Sequence, residues 1–192
     1  MADIQYNFIN LPSRIEFENG HVISYLYDAD GIKLRTTHII GSDTTVTDYC
    51  GNVIYENGIP VKLLTEAGYV TLADSKYHYF VQDHLGNNRV VVDQSGNVEE
   101  VNHYYPFGGL LSSSVSNAVQ PYKYNGKELD RKNGLDWYDY GARMYDAALG
   151  RWHAVDPMSE KYYSWSPYTY CKNNPVLRID LDLSLIHISE PT

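Results

Sequence analysis

The sequence predicts an all-β protein: antiparallel β-hairpins laid side by side in a curved or spiralling sheet, with an irregular Tyr- and Trp-rich plug from about 120 to 182. Three observations point there. An acidic residue, two variable residues and Gly recur as punctuation. The runs between these signals alternate β-branched or aromatic residues with polar ones, the period of a half-buried strand. Helical periodicity is absent from 14 to 107.

The punctuation falls at Asp28-Ala-Asp-Gly31, Asp48-Tyr-Cys-Gly51-Asn52, Asp83-His-Leu-Gly86-Asn87 and Asp93-Gln-Ser-Gly96-Asn97. Asp at the first turn position can accept bonds from backbone amides ahead of it, and Gly at the fourth tolerates a positive φ, so each signal predicts a tight hairpin with a bulge. The strand-like runs are His21–Tyr27, Lys76–Val81, Arg89–Val92 and Val98–Tyr104. One hairpin cannot bury enough surface to fold alone, so these units must stack into a sheet. Leu111-Ser-Ser-Ser-Val-Ser-Asn117 is a small-polar interruption and reads as a linker over 111–119. Beyond Gly150, Pro157, Pro167 and Pro175 leave room for one short helix near Ser159–Tyr163 and a last strand near Val176–Asp180.

Composition narrows the function. Tyr occurs 19 times against 4 Phe and 3 Trp, spread along the chain, as suits pleated surfaces where a ring packs while its hydroxyl reaches a partner. The net charge of −9 argues against nucleic acid as a partner, because phosphate binding needs clustered Lys and Arg. No run approaches the roughly 18 apolar residues of a membrane span, and the first residues have neither the basic nor the apolar part of a signal peptide. Asp3–Pro12 reads as the middle of a repeat, so the natural start is expected upstream. Cys50 and Cys171 have no CxxC or metal spacing and do not indicate a redox compartment.

Tyr122 to Pro157 is specific enough to suggest a family. Tyr124-Asn-Gly-Lys-Glu128, Gly134-Leu135, Trp137-Tyr-Asp-Tyr-Gly-Ala-Arg143, Tyr145-Asp146, Gly150-Arg-Trp152, Asp156-Pro157, Ser166-Pro-Tyr168 and Cys171-Lys-Asn-Asn-Pro175 follow in order. The stretch resembles the RHS repeat-associated core of bacterial polymorphic toxins, which closes arrays of Tyr-Asp (YD) repeats, and Tyr25-Leu-Tyr27-Asp28 resembles the repeat signature. The resemblance implies hairpin repeats over 1–110, a core over 120–182, and a hollow β-shell, secreted or at the cell surface, that encloses and delivers a C-terminal toxin domain. The implied partners are that toxin domain and the remaining repeats. Containment needs no cofactor and no metal. Leu183–Thr192 lacks the Tyr/Asp/Gly pattern and resembles the translation of a transposon-end sequencing adapter, so 183–192 is expected to be non-native.

The catalytic candidates are Asp156 and Asp180, with Asp182 nearby. Two carboxylates brought together can share a proton and activate water, and the resemblance implies self-cleavage near paired Asp-Pro-x-Gly motifs. Here Asp156-Pro-Met-Ser159 lacks the Gly and Leu181 stands where Pro is expected, so the fragment itself is not expected to be an enzyme. The alternative is that Asp156 ends a strand and bonds turn amides. Asp28-Ala-Asp30 hints at a calcium loop, but its twelfth position is Ile39, which favours a hairpin turn. His78, between Tyr77 and Tyr79, suits a strand face better than a metal. Arg143 and Arg151 lie among aromatics and can stack on them or pair with Asp139 or Asp146. Exposed Tyr and Trp leave open a cell-surface glycan as partner. No Ser/His/Asp elbow or phosphate loop is present.

Overall fold

The computed structural model describes residues 3–112, 114–116, 120–161, 163–180 and 188–189. It is built of antiparallel strands and short 3-10 turns, as the alternating pattern predicts. The chain divides into two compact units, Met1–Tyr79 with Val92–Asn97, and Phe80–Val91 with Val98–Thr192. This division differs from the expected boundaries at 110 and 120.

The first unit is a ladder of consecutive strands: β1 (Asp3–Tyr6), β2 (Pro12–Glu16), β3 (Val22–Tyr27), β4 (Lys33–Ile40), β5 (Asp43–Cys50), β6 (Val53–Glu56), β7 (Ile59–Thr65), β8 (Gly68–Thr71) and the start of β9 (Lys76–Gln82). Each pairs antiparallel with the next. Ile15, Ile23 and His38 stand opposite one another across β2, β3 and β4, all buried, because residues in register on neighbouring strands share a face. Two positions along β3, Tyr25 and its partner Thr36 are buried on the same side.

The turns recur more often than the acidic signal. In seven five-residue loops, starting at Asn7, Phe17, Asp28, Asp83, Asp93, Tyr105 and Lys123, the first N–H donates to the fifth carbonyl and the fourth N–H donates back to the first carbonyl. The fourth residue, Asn10 in the first loop and Gly in the others, has a positive φ in all seven. In six of them this is a type I turn closed by a left-handed residue, and in the loop at Lys123 the third residue, Asn125, is left-handed as well. Asp28, Asp83 and Asp93 add side-chain bonds to the third and fifth amides, and Asn7 does the same. The expectation at Asp48 fails. β5 runs on to Cys50, the reversal is the two-residue Gly51-Asn52, and Asp48 stays in the strand opposite Tyr55, bonded by Arg35 Nε. At Gly68 a Cβ would lie 2.0 Å from the His78 carbonyl oxygen, so only glycine lets β8 approach β9.

The second unit holds the end of β9, the start of β10 (Asn88–Asp93), and β11 (Val98–Val101) paired with β12 (Val115–Ser116). β12 lies inside the segment expected to be a linker; residues 113 and 117–119 of that segment are outside the described residues. The closing segment is more regular than expected, since it contains a four-stranded antiparallel meander of β13 (Glu128–Asp130), β14 (Trp137–Asp139), β15 (Met144–Asp146) and β16 (Arg151–Trp152). The short helix expected near 159 is a 3-10 turn at Ser159–Lys161. The last strand, β17 (Ile179–Asp180), pairs with β18 (Ile188–Ser189). Of the tail expected to be non-native, 183–187 and 190–192 lie outside the described residues.

Candidate functional site

The second unit is built around Tyr124, Leu129, Tyr138, Tyr140, Tyr145, Trp152, Tyr170 and Cys171. Its tyrosines act as hydrogen-bond donors as well as packing rings. The loop Tyr105-Pro-Phe-Gly108 presents three successive carbonyls; Pro106 O accepts from Tyr124 (3.0 Å), Phe107 O from Tyr145 (2.8 Å) and Gly108 O from Tyr138 (2.8 Å). Gly108 packs so close to the Tyr124 ring that a Cβ would fall 2.6 Å from it. Deeper in, the hydroxyls of Tyr140 and Tyr170 donate to Asn125 Oδ1 at 2.6 and 2.7 Å. Burial raises both tyrosines well above their ordinary pKa and pushes the Cys171 thiol up to about 12, so these groups stay neutral. A cavity of about 510 Å³ borders this loop, lined by Tyr105, Phe107 and Tyr138 beside the Arg131–Asp136 ion pair.

The two candidate aspartates come together around a residue that the sequence did not link to them. Arg143, entering β15 after the turn at Gly141, is buried, and its Nη2 lies 3.6 Å from Asp156 Oδ2 and 3.6 Å from Asp180 Oδ2. Those two oxygens are therefore no farther apart than twice that distance. The Arg143 guanidinium lies over the Trp152 ring, 4.2 Å from its centroid. Burial lowers the Arg143 pKa, and attraction to Asp156 and then Asp180 opposes that shift. Asp156 also bonds turn amides: its Oδ1 accepts from Met158 N–H at 2.7 Å and its carbonyl from Ser159 N–H, holding the turn at Pro157. Asp182 lies outside the described residues.

Arg143 lies against Asp156 and Asp180; Asp139 Oδ1 accepts from the Gly141 amide at 2.7 Å, and Asp146 takes His153 at 3.5 Å and the amides of Ala148 and Leu149. Arg151 is exposed on β16. Asp28 Oδ1 accepts from two backbone amides in its hairpin turn. His78 is buried on β9, stacked on Tyr69 with centroids 4.4 Å apart and bonded to Thr71 Oγ1 at 2.9 Å. Among the described residues, no group of three or more His, Cys, Asp or Glu is arranged to hold a metal, and no helix is long and apolar enough to cross a membrane.

A β-hairpin ladder joined in sequence to a tyrosine-clamped core defines a class of repeat-built β-proteins. The family model described as Teneurin YD-shell matches residues 63–176, and the chain belongs to that family. The likeness to RHS and YD-repeat proteins is thereby borne out. The chain is 32% identical, over 88% of its length, to 6% of salivary gland surface protein 1 of Aedes aegypti. It is 29% identical, over 71% of its length, to 15% of toxin subunit YenC1 of Yersinia entomophaga. In fold it resembles the Photorhabdus luminescens Tc holotoxin pore, with a TM-score of 0.78 and 20% identity over 99% of this chain and 10% of that one. It thus spans less than a sixth of the length of each of these relatives.

Proposed function

We propose that the chain is a segment of the wall of a secreted or surface-associated β-shell, in which residues 120–182 close the repeats and the whole encloses a toxic domain carried by the same polypeptide. The family match over residues 63–176 carries this reading, and the likeness to a toxin subunit favours a toxin as the contents. The structure of the second unit supports it physically. Carbonyls of the 105–108 loop are tied down by tyrosine hydroxyls, as a wall that must stay closed requires. The test uses the chain extended by its natural flanking residues. A following domain should resist protease while the shell is folded and become digestible once it is unfolded. Equal digestion in both states would refute enclosure.

A second reading is favoured by the convergence of Asp156 and Asp180 on Arg143: in the longer protein the two carboxylates cleave the chain beyond Asp180. The fragment itself is expected to stay intact, because Leu181 replaces the turn-forming Pro. Incubation from mildly acid to neutral pH followed by intact-mass measurement checks this. A C-terminal product that vanishes in Asp156→Asn and Asp180→Asn would establish the enzymatic reading.

A further inference from the structure

The second unit buries another charged cluster, separate from Arg143. Glu100 in β11, Asn102 just beyond its end, Gln120 and Lys123 are each at most 3% exposed. Three side-chain donors meet one carboxylate oxygen: Lys123 Nζ, Asn102 Nδ2 and Gln120 Nε2 all contact Glu100 Oε1, the last at 2.9 Å and the first two closer. Asn102 is fixed from its other side, its Nδ2 donating to Asn88 O at 3.0 Å and its backbone N–H to Arg89 O at 2.7 Å. Its Oδ1 and Gln120 Oε1 are both buried and have no hydrogen-bond partner among the described residues, and of the two carboxamides Asn102 is the one held closer to Glu100 and anchored to Asn88. The Tyr104 ring, whose hydroxyl also bonds Asn88 O at 2.8 Å, lies in the same region.

A buried salt bridge would account for Lys123 on Glu100. It does not account for carboxamides held against the same oxygen with their own carbonyls unsatisfied, an arrangement that leaves buried acceptors without the hydrogen bonds they had in water. It is, however, the arrangement needed to join an amine to an amide: a nucleophile, an electrophilic carboxamide and a carboxyl group in contact with both, away from water. We propose that Lys123 and Asn102 form an intramolecular isopeptide bond, with Glu100 as the acid–base group.

The chemistry balances without any co-reactant. Transfer of one proton from Nζ to Glu100 Oε1 turns ammonium and carboxylate into amine and acid. The Nζ lone pair attacks Asn102 Cγ, and the displaced C=O electrons on Oδ1 accept the Glu100 proton; half a turn of the amide presents that oxygen. Glu100 then takes the extra proton from Nζ and delivers it to Nδ2. The C–Nδ2 bond breaks, ammonia leaves, and the carbonyl re-forms as its proton returns to Glu100. One C–N bond is made and one is broken, nothing is oxidised or reduced, and Glu100 ends protonated against the new amide. The link would tie the end of β11 to the segment that leads into the tyrosine core, so unfolding could not separate them.

The 192-residue chain, purified, left to mature and measured intact under denaturing conditions, should be lighter than its sequence mass by one ammonia. Its tryptic digest should contain a branched peptide carrying both Asn102 and Lys123. Lys123→Arg keeps a cation on Glu100 but removes the nucleophile and should return the full mass, as should Glu100→Gln; Gln120→Ala should keep the loss. Full sequence mass in the unmodified chain would overturn the proposal without relying on how any variant folds. So would ammonia loss that persists in Lys123→Arg, the sign of succinimide formation at an Asn-Gly site, or a branch located on Gln120.

Discussion

The two units solve the same problem, burying one face of a short-stranded sheet, by different means. The first uses position: aliphatic and small residues such as Ile15, Ile23 and Thr36 occupy alternate places along strands joined by stereotyped turns. The second uses particular atoms, since a hydroxyl on Tyr124, Tyr138 or Tyr145 completes the bonding of a backbone carbonyl. A site of the first kind accepts any residue of about the right size. A site of the second kind requires its own residue, and the charged centre at Arg143 is its extreme case. Disturbing each unit in turn tests this difference.

The largest effect is expected at Arg143. Arg143→Met preserves most of the packing on Trp152 but leaves Asp156 and Asp180 buried without their cation. Removing one partner of such a cluster costs about 3–5 kcal/mol, enough to unfold the second unit or to force both acids to protonate. Urea unfolding at neutral pH should show the loss, and acidification should recover part of it.

Tyr145→Phe comes next. It removes one oxygen and strands the Phe107 carbonyl, for about 1–3 kcal/mol. Ile23→Val in the first unit removes one methylene from an equally buried site and should cost about 0.5–1.5 kcal/mol. Equal costs in equilibrium unfolding would erase the distinction between the two kinds of core.

The same distinction explains what the sequence disclosed. Strand alternation and the Asp-x-x-Gly turns announced β3 and the hairpins at Asp28, Asp83 and Asp93, because period two and a left-handed glycine are local properties. The strands from β5 to β8 were not singled out because Thr-Thr-Val-Thr in β5 shows little contrast between faces and turns such as Gly41-Ser42 and Asn57-Gly58 lack the Asp-x-x-Gly signal. Asp48 misled for the converse reason: its spacing to Gly51 matches the turn, but strand pairing with Arg35 and Tyr55 holds it in the ladder. In the second unit the aspartates could be named as candidates, but not their link to Arg143. Residues 13 and 37 positions after Arg143 meet it only through the fold. The cluster at Glu100 was equally hidden, since Lys123 lies among tyrosines with no acid beside it in the chain. An aromatic run that contains an isolated Lys is the one signal that could have pointed to it.

The smallest effect expected is a pH dependence in the meander. Burial pushes the Asp146 carboxyl up, but bonds from His153 and from the Leu149 and Ala148 amides outweigh it and hold the group below the usual carboxylate range. A depressed native pKa means that the unfolded chain takes up the proton first as pH falls. The stability Asp146 contributes is therefore present in full above its unfolded value and is lost as pH falls through the native one. Between neutral pH and about pH 5 its contribution should stay constant; below the ordinary Asp value of about 3.9 it should decline. Asp146→Asn keeps an oxygen for the Ala148 and Leu149 amides but cannot ionise, so its stability relative to the parent should be lower at neutral pH and converge on it in acid. Thermal unfolding of the two proteins at matched pH values measures the gap. A gap that stays constant down to pH 3 would mean that the turn depends on the shape of the side chain at 146 and not on its charge, which would place this corner of the second unit with the shape-tolerant sites of the first.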